Sequence, residues 1–327
     1  MMRAIRFSQF GKPADVLRLE TVPVPEPAAG EVRVRLTHRS VNPSDLLTVS
    51  GLYGRLPELP ATPGFEGTGY IDAIGEGVTG WQVGQRVIPL GVSGTWQEYV
   101  IANPAQLLPV PDAVADETAA QFVVNPVTAW VMLTEELGLQ EGDWVLQTAA
   151  GSTLGRLVLQ IARLKGYKTV NFVRRREQVD ELLALGADAV ICTEDEDVVA
   201  QVMGVTNGKG VKGALDAVGG RTGALAASCL QTGGTMLVYG LLSLEPTPIH
   251  TGEMIFKETT VRGFWLTRWF RRHAPTHVIT VLQSLMGLMA EGHLQPPVEA
   301  TYDLAAYKTA VLHAERPGRQ GKILLTG

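Results

Sequence analysis

The sequence predicts an α/β protein of two domains, one small and mostly β, the other built on a doubly wound parallel sheet. Three observations predict it. Residues 1–121 consist of short β-rich runs separated by proline and glycine, with no helical period until about Asp116. From Trp144 to Glu177 an apolar run, a small-residue turn, an apolar-periodic segment and a second β-rich run follow one another, the start of a βαβ unit. Beyond it, strand-like and helix-like runs alternate to residue 267, with glycines at the strand ends.

The first domain is assigned to 1–121, with strands over Arg3–Phe7, Leu17–Thr21, Glu31–Ser40, Gly67–Ile74, Arg86–Pro89 and Trp96–Ile101. Turn-rich stretches divide them: PVPEPAAGE, GEGVTGWQVGQR and LPVPDAV. Between Asn42 and Gly69 the prolines at 57, 60 and 63 and the glycines at 51, 54, 64, 67 and 69 exclude a long helix or a central strand. This is an irregular loop system, the kind that carries function on a rigid scaffold. Tyr53 lies between Gly51 and Gly54, and by local sequence alone it reads as a turn residue with its ring on the surface.

The second domain is assigned to 122–267. Residues 117–137 are helical in pattern, interrupted at Asn125-Pro126, where proline suits a first helical turn and Asn125 suits the cap. The turn after Trp144–Gln147 has the small residues that let a backbone approach a pyrophosphate at a helix N-terminus. Gly151 and Gly155 are present, but Thr153 stands where the glycine pattern has its middle glycine. Taken alone, the turn reads equally well as a ligand-free strand-to-helix connection. About 20 residues further on, where an NAD-binding unit carries an acidic residue for the ribose, stand Arg174, Arg175 and Arg176. Guanidinium groups there suit a 2′-phosphate and favour NADPH over NADH. Strands follow at 189–193, 213–218, 235–240 and 259–265, then an amphipathic helix over 276–291. The tail returns to mixed strand and helix and is too short to stand alone, so 268–327 is assigned to the first domain.

Composition narrows the function classes. The chain has 327 residues, 45% hydrophobic and 19% charged, with a net charge of −5, which offers no electrostatic footprint for nucleic acid. Its two cysteines, Cys192 and Cys229, have no histidine at ligand spacing and cannot build a disulfide framework or a zinc knuckle; they suit a reducing compartment. No apolar run is long enough to span a membrane, and the first residues, MMRAIRFSQFG, do not read as a signal or transit peptide, so a cytoplasmic location is expected.

The layout of a β domain, an inserted Rossmann domain and a C-terminal GKILL resembles the medium-chain dehydrogenase/reductase superfamily over almost the whole chain. The resemblance implies a GroES-like catalytic domain and a Rossmann NADPH-binding domain. Zinc-dependent members need a cysteine near the stretch that here reads Val41-Asn42-Pro43-Ser44-Asp45, and a histidine where Phe65 precedes Glu66. Both ligands are missing, so no metal is expected in catalysis. NPSD, GLYGRLPELPA, GFEG, GTW (94–96), VNPVTAW (124–130), NFVRRR (171–176) and above all RGFWLTRW (262–269) are similar to mitochondrial-type trans-2-enoyl thioester reductases.

That resemblance implies roles position by position. Tyr53 matches a catalytic tyrosine, against its local reading, and Trp265 belongs to the same catalytic set. Asn125, Gly151, Ser152, Thr153, Leu154, Arg174, Arg175, Arg176, Tyr239, Gly240, Phe264, Trp265, Leu266 and Lys322 match cofactor-binding positions. Trp269 reads equally as a core or dimer-interface aromatic or as a substrate contact. The implied reaction is NADPH-dependent reduction of the C2–C3 double bond of a fatty-acid-type enoyl thioester, carried on coenzyme A or acyl carrier protein. Tyr53 would hydrogen-bond the thioester oxygen, protonate the α-carbon, or do both; a phenol with a reference pKa of about 10 is a poor base but a serviceable donor. The alternatives are a zinc-independent NADPH:quinone or enone oxidoreductase, and a non-catalytic NADPH-binding protein. A homodimer is implied by the family alone.

Overall fold

The computed structural model describes residues 1–327, and the chain divides into two compact units: 1–124 with 286–327, and 125–285. The sequence boundaries stood at 121 and 268. In the structure the second boundary falls inside a long helix, Pro275–Ala290, which carries the chain back later.

The first unit opens with β1 (Met2–Arg6), α1 (Pro13–Val16), β2 (Arg18–Val22), β3 (Val32–Val41) and α2 (Pro43–Val49). It continues with β4 (Gly67–Ile74), β5 (Arg86–Pro89), β6 (Tyr99–Ala102), β7 (Leu107–Pro109) and α3 (Asp116–Ala119). Strand β3 shows why the pattern folds as it does. Val32, Val34 and Leu36 alternate with Arg33 and Arg35, so the apolar side chains enter a core with Ile71, Val87 and Val100 while the arginines stay nearer solvent.

The second unit holds α4 (Asn125–Val131), a π-helical turn (Met132–Glu136), β8 (Trp144–Gln147), α5 (Thr153–Lys165), β9 (Lys168–Val173) and α6 (Glu177–Ala184). Then follow β10 (Ala189–Cys192), α7 (Val198–Val205), β11 (Val211–Asp216), α8 (Gly220–Ser228), β12 (Leu230–Val238), α9 (Thr251–Lys257), β13 (Thr260–Gly263), α10 (Leu266–Arg272) and α11 (Pro275–Ala290). Its six strands are all parallel in the order β10-β9-β8-β11-β12-β13, so the topology switches direction between β8 and β11. Leu146, Val170, Phe172, Ala214 and Met236 fill one of its cores.

The tail supplies β14 (Val298–Asp303), α12 (Tyr307–Ala314) and β15 (Lys322–Thr326). β15 pairs antiparallel with β3 and parallel with β14, completing a seven-stranded sheet in the first unit. Leu304, Tyr307, Val311, Ile323 and Leu325 share a buried cluster with Ile5, Phe7 and Trp96, so residues from both ends of the sequence build one core. Two local expectations change. The helical pattern over 117–137 is broken into α3, a turn, α4 and the π-helical turn, closed by Leu137 N–H donating to Met132 O at 3.0 Å. The RGFW run, read as a strand to 265, ends at Gly263, and Trp265 becomes the N-cap of α10, a helix absent from the sequence reading.

Candidate active site

In the first unit the loop from Asn42 to Gly69 is anchored by buried polar groups. Glu66 is buried, and its Oε1 accepts from Asn42 Nδ2 at 2.8 Å. Its Oε2 accepts the Val123 and Val124 amides at 3.0 and 2.8 Å. Asn42 Oδ1 in turn accepts from Lys322 Nζ at 2.6 Å, and Asp45 Oδ2 accepts from the Asn42 amide at 2.7 Å. Gly64 cannot be replaced: with φ near +108°, a Cβ there would lie 2.3 Å from Thr95 Oγ1 and 2.5 Å from the Trp96 ring. Loop geometry thus follows from a fully buried tryptophan whose Nε1 donates to Ser40 O at 3.0 Å.

Tyr53 stands on this loop, half-buried, with its ring 5.3 Å from that of Phe65 and tilted by 38°. The local reading of a ring lying on the surface is therefore corrected, because packing on Phe65 orients the phenol. Lys322 is 3% exposed, in contrast to an exposed strand lysine.

Burial governs the charges in this cluster. It pushes the Asp45 carboxyl up to about 8, with Glu66 adding to the rise, and raises Glu66 as well. It lowers the Lys322 ammonium to about 8, against the opposing pull of Glu66. Asp45 Oδ1 is buried without a hydrogen-bond partner. A catalytic zinc does not fit this donor set. Asn42 gives its amide nitrogen to Glu66 and its oxygen to an ammonium, Phe65 offers no ligand, and both cysteines lie buried in the other unit.

In the second unit the turn between β8 and α5 lies at the switch point of the sheet, where open parallel sheets bind ligands. Ser152 caps α5, its Oγ accepting from Gly155 N–H at 3.1 Å, and the first-turn amides of Thr153 and Leu154 head the helix. A Cβ on Gly155 would sit 2.2 Å from Ala150 O, so this glycine is needed for helix and turn to meet. Thr153 is the first residue of α5 rather than part of the turn, which is why its side chain is accommodated. The turn is held from below by Asp216, fully buried at the end of β11. Asp216 accepts from Thr148 Oγ1 at 2.9 Å, Val218 N–H at 3.0 Å and Gly219 N–H at 3.1 Å.

The structure places Arg174 exposed and Arg175 half-exposed after β9, while Arg176 makes an ion pair with Asp195 at 2.5 Å. Tyr239 and Gly240 follow β12 at the same end of the sheet, both amides donating to Asp216 O, and Phe264 N–H donates to Val238 O at 2.9 Å. Trp265 and Leu266 are half-exposed at the start of α10, and Asn125 heads α4 with little exposure. Trp269 is fully buried, its Nε1 donating to Glu135 Oε2 at 2.8 Å, which makes it a core residue and removes it as a substrate contact. Sequence reasoning missed Asp216 and Thr148, and met Asn42 and Glu66 only as neighbours in the two stretches that lack zinc ligands. An acid at the end of an apolar strand and an acid in a Pro/Gly loop were the available signals.

The GroES-like alcohol dehydrogenase model matches residues 28–112, and the zinc-binding dehydrogenase model matches residues 153–284. The mitochondrial enoyl-[acyl-carrier-protein] reductase of Caenorhabditis elegans is 37% identical over 300 residues, 90% of this chain and 86% of that protein. The chain belongs to the medium-chain dehydrogenase/reductase family. Within that family its sequence sides with the enoyl thioester reductases and lacks the catalytic zinc ligands. The fold also superposes on the Etr1p/NADP/crotonyl-CoA complex with a TM-score of 0.90 and 28% identity, covering 100% of this chain and 99% of that one. A Bacillus thuringiensis protein described as a candidate NADPH:quinone reductase superposes with a TM-score of 0.93 and 36% identity, covering 100% and 99%.

The buried cluster of this zinc-free member predicts how stability depends on pH. Asp45 binds its proton more tightly folded, at about 8, than unfolded, near 3.9, so stability is lost as pH rises through that window. Asp45→Asn should flatten the denaturant-midpoint profile between pH 5 and 8 by more than about 1 kcal/mol, the worth of one pKa unit. Parallel profiles for the two proteins would show that Asp45 is charged throughout.

Proposed function

We propose that the chain reduces the C2–C3 double bond of trans-2-enoyl thioesters at the expense of NADPH. The observation that carries this reading is Tyr53, a phenol held against Phe65 on a loop built over a buried polar cluster, in a chain related to enoyl reductases.

The residues present fit the dinucleotide. Gly155 and Ser152 make a close turn at a helix N-terminus, and the arginines after β9 suit the 2′-phosphate. NADPH, when bound, supplies the hydride that adds to the β-carbon. Thr153 and Leu154 amides would bind pyrophosphate, Arg174 and Arg175 the 2′-phosphate, and Gly151, Asn125, Tyr239, Gly240, Phe264, Trp265 and Leu266 would line the remaining cofactor and acyl surface. Charge then develops on the thioester oxygen, where an oriented donor is worth most. Tyr53 would donate there, and the enolate electron pair would take up one proton at the α-carbon, from Tyr53 or from water, to complete the reduction. Lys322 supports this arrangement through Asn42 rather than as a direct cofactor contact.

A quinone or enone reductase is the second reading, favoured by the likeness to the Bacillus thuringiensis structure. It needs hydride delivery but no thioester-oxygen donor. The chain is also proposed to form a homodimer. β13 is one of the two edge strands of the six-stranded sheet, and Ile255 and Phe256 on the preceding helix are 67% and 86% exposed. No helix is long and apolar enough to cross a membrane, and the two buried free thiols suit the reducing cytoplasm.

Three measurements test these roles. Tyr53→Phe should lower kcat for a short trans-2-enoyl thioester by about 10²-fold, the usual worth of one oriented donor, while leaving any quinone turnover unchanged; turnover of the quinone alone would favour the second reading. Arg174→Glu with Arg175→Glu should raise the KM for NADPH by about 10- to 100-fold, as loss of charge-assisted hydrogen bonds does, and leave NADH unaffected; equal effects on both would refute a 2′-phosphate site. In sedimentation the wild type should run at twice the chain mass and Ile255→Asp/Phe256→Asp at the mass of one chain.

A further inference from the structure

The second unit gathers three ligand-type side chains away from the dinucleotide turn. Glu135, His273 and His277 each offer one donor atom, and these atoms lie within 4.8 Å of one another. We propose that they form a binding site for one divalent transition ion of the zinc, cobalt or nickel class, distinct from the family's catalytic zinc position. Two imidazoles with one carboxylate match the donor preference of these ions and not that of magnesium or calcium.

Two of the three ligands, His273 and Glu135, are already oriented by a partner of the kind that supports bound metals, and the ion would take the place of the hydrogen bond between His277 and Glu135. The Trp269 carbonyl takes the Nδ1 proton of His273 at 2.9 Å, which leaves the lone pair on Nε2. Trp269 Nε1 donates to Glu135 Oε2 at 2.8 Å, leaving Oε1 facing His277 Nε2 at 3.0 Å. The two imidazoles lie 5.1 Å apart, tilted by 32°, and His273 packs on the fully buried Trp269 indole at 4.9 Å. Bonds of about 2.0–2.1 Å at tetrahedral angles separate donor atoms by about 3.3 Å, so the ion needs only side-chain adjustments of about 1 Å. The fourth position is left to water.

Glu135 lies in the π-helical turn, a feature often found at functional sites. The neighbouring Glu136 faces other partners, pairing with Arg262 at 2.7 Å and with Arg272. Both guanidinium groups are thereby directed to Glu136 and not to Glu135. A bound ion would tie the turn after α4 to the connection between α10 and α11, and Trp265 is the N-cap of α10.

The test is titration of metal-stripped protein with Zn²⁺ by calorimetry and with Co²⁺ by absorbance. One ion per chain is expected, with a tetrahedral cobalt spectrum and a raised Tm. Glu135→Gln, His273→Ala and His277→Ala should each weaken binding at least 10-fold, while His293→Ala, outside the cluster, leaves it unchanged. His277 is 44% exposed, so its variant keeps the fold and decides the matter even if His273→Ala does not. Absence of saturable binding to the wild type, or equal binding by His277→Ala, overturns the proposal.

Discussion

The Glu66 carboxylate, buried and accepting from the Asn42 side chain and the Val123 and Val124 amides, joins three stretches of the first unit that are far apart in sequence. Through Asn42 a fourth joins, because Lys322 on β15 donates to the oxygen of the same side-chain amide. Removing any one partner leaves a buried charge or amide without its hydrogen bond, which costs more than the bond contributes when made. The irregular loop bearing Tyr53 is therefore rigid at its root although it has neither strand nor helix between Gly51 and Gly67. The donor role proposed for this phenol needs such a root, since a donor misplaced by an ångström loses most of its effect.

The second unit uses the same device with different residues. Asp216 is a buried carboxylate at the topological switch of a parallel sheet, and its three donors come from the turns after β8 and after β11. The turn above it must also pass close to α5, which only Gly155 permits. In both units, then, an acid that composition would place on the surface is buried because it satisfies backbone amides that no helix or strand can satisfy. The difference lies in the charge balance: Glu66 has the Lys322 ammonium near it, whereas Asp216 is held by neutral donors alone.

These two acids also mark how far the sequence could be read. The alternation of β3, the proline and glycine punctuation of residues 1–121 and the βαβ pattern from Trp144 were legible because they depend on local periodicity. The return of the tail to the first unit was legible only as an argument from length, and its pairing through β15 with β3 was not legible. The break of 117–137 into α4 and a π-helical turn, and the helix starting at Trp265, were not legible, because tertiary partners decide them: Glu135 and Glu136 bond to Trp269, Arg262 and Arg272, all more than a hundred residues away. Trp269 was equally open from sequence, and its complete burial resolves it. The turn reading of Tyr53 failed for a similar reason, since nothing within five residues announces Phe65 as its packing partner.

The absence of zinc ligands has a chemical consequence beyond the loss of a metal. In this cluster the cationic charge is the Lys322 ammonium, which is buried and turned toward Asn42, so it cannot polarise a substrate carbonyl as an open metal site does. In the proposed reaction polarisation would come instead from a neutral donor, the role proposed for Tyr53, which is half-buried on this loop. A neutral donor stabilises the charge that appears during hydride addition without holding the product as a permanent ion pair. That suits an enoyl thioester, whose oxygen carries charge only until the α-carbon is protonated. An alcohol dehydrogenase, which must bind an alkoxide in its ground state, needs the metal that this fold has replaced by an internal ammonium–amide–carboxylate chain.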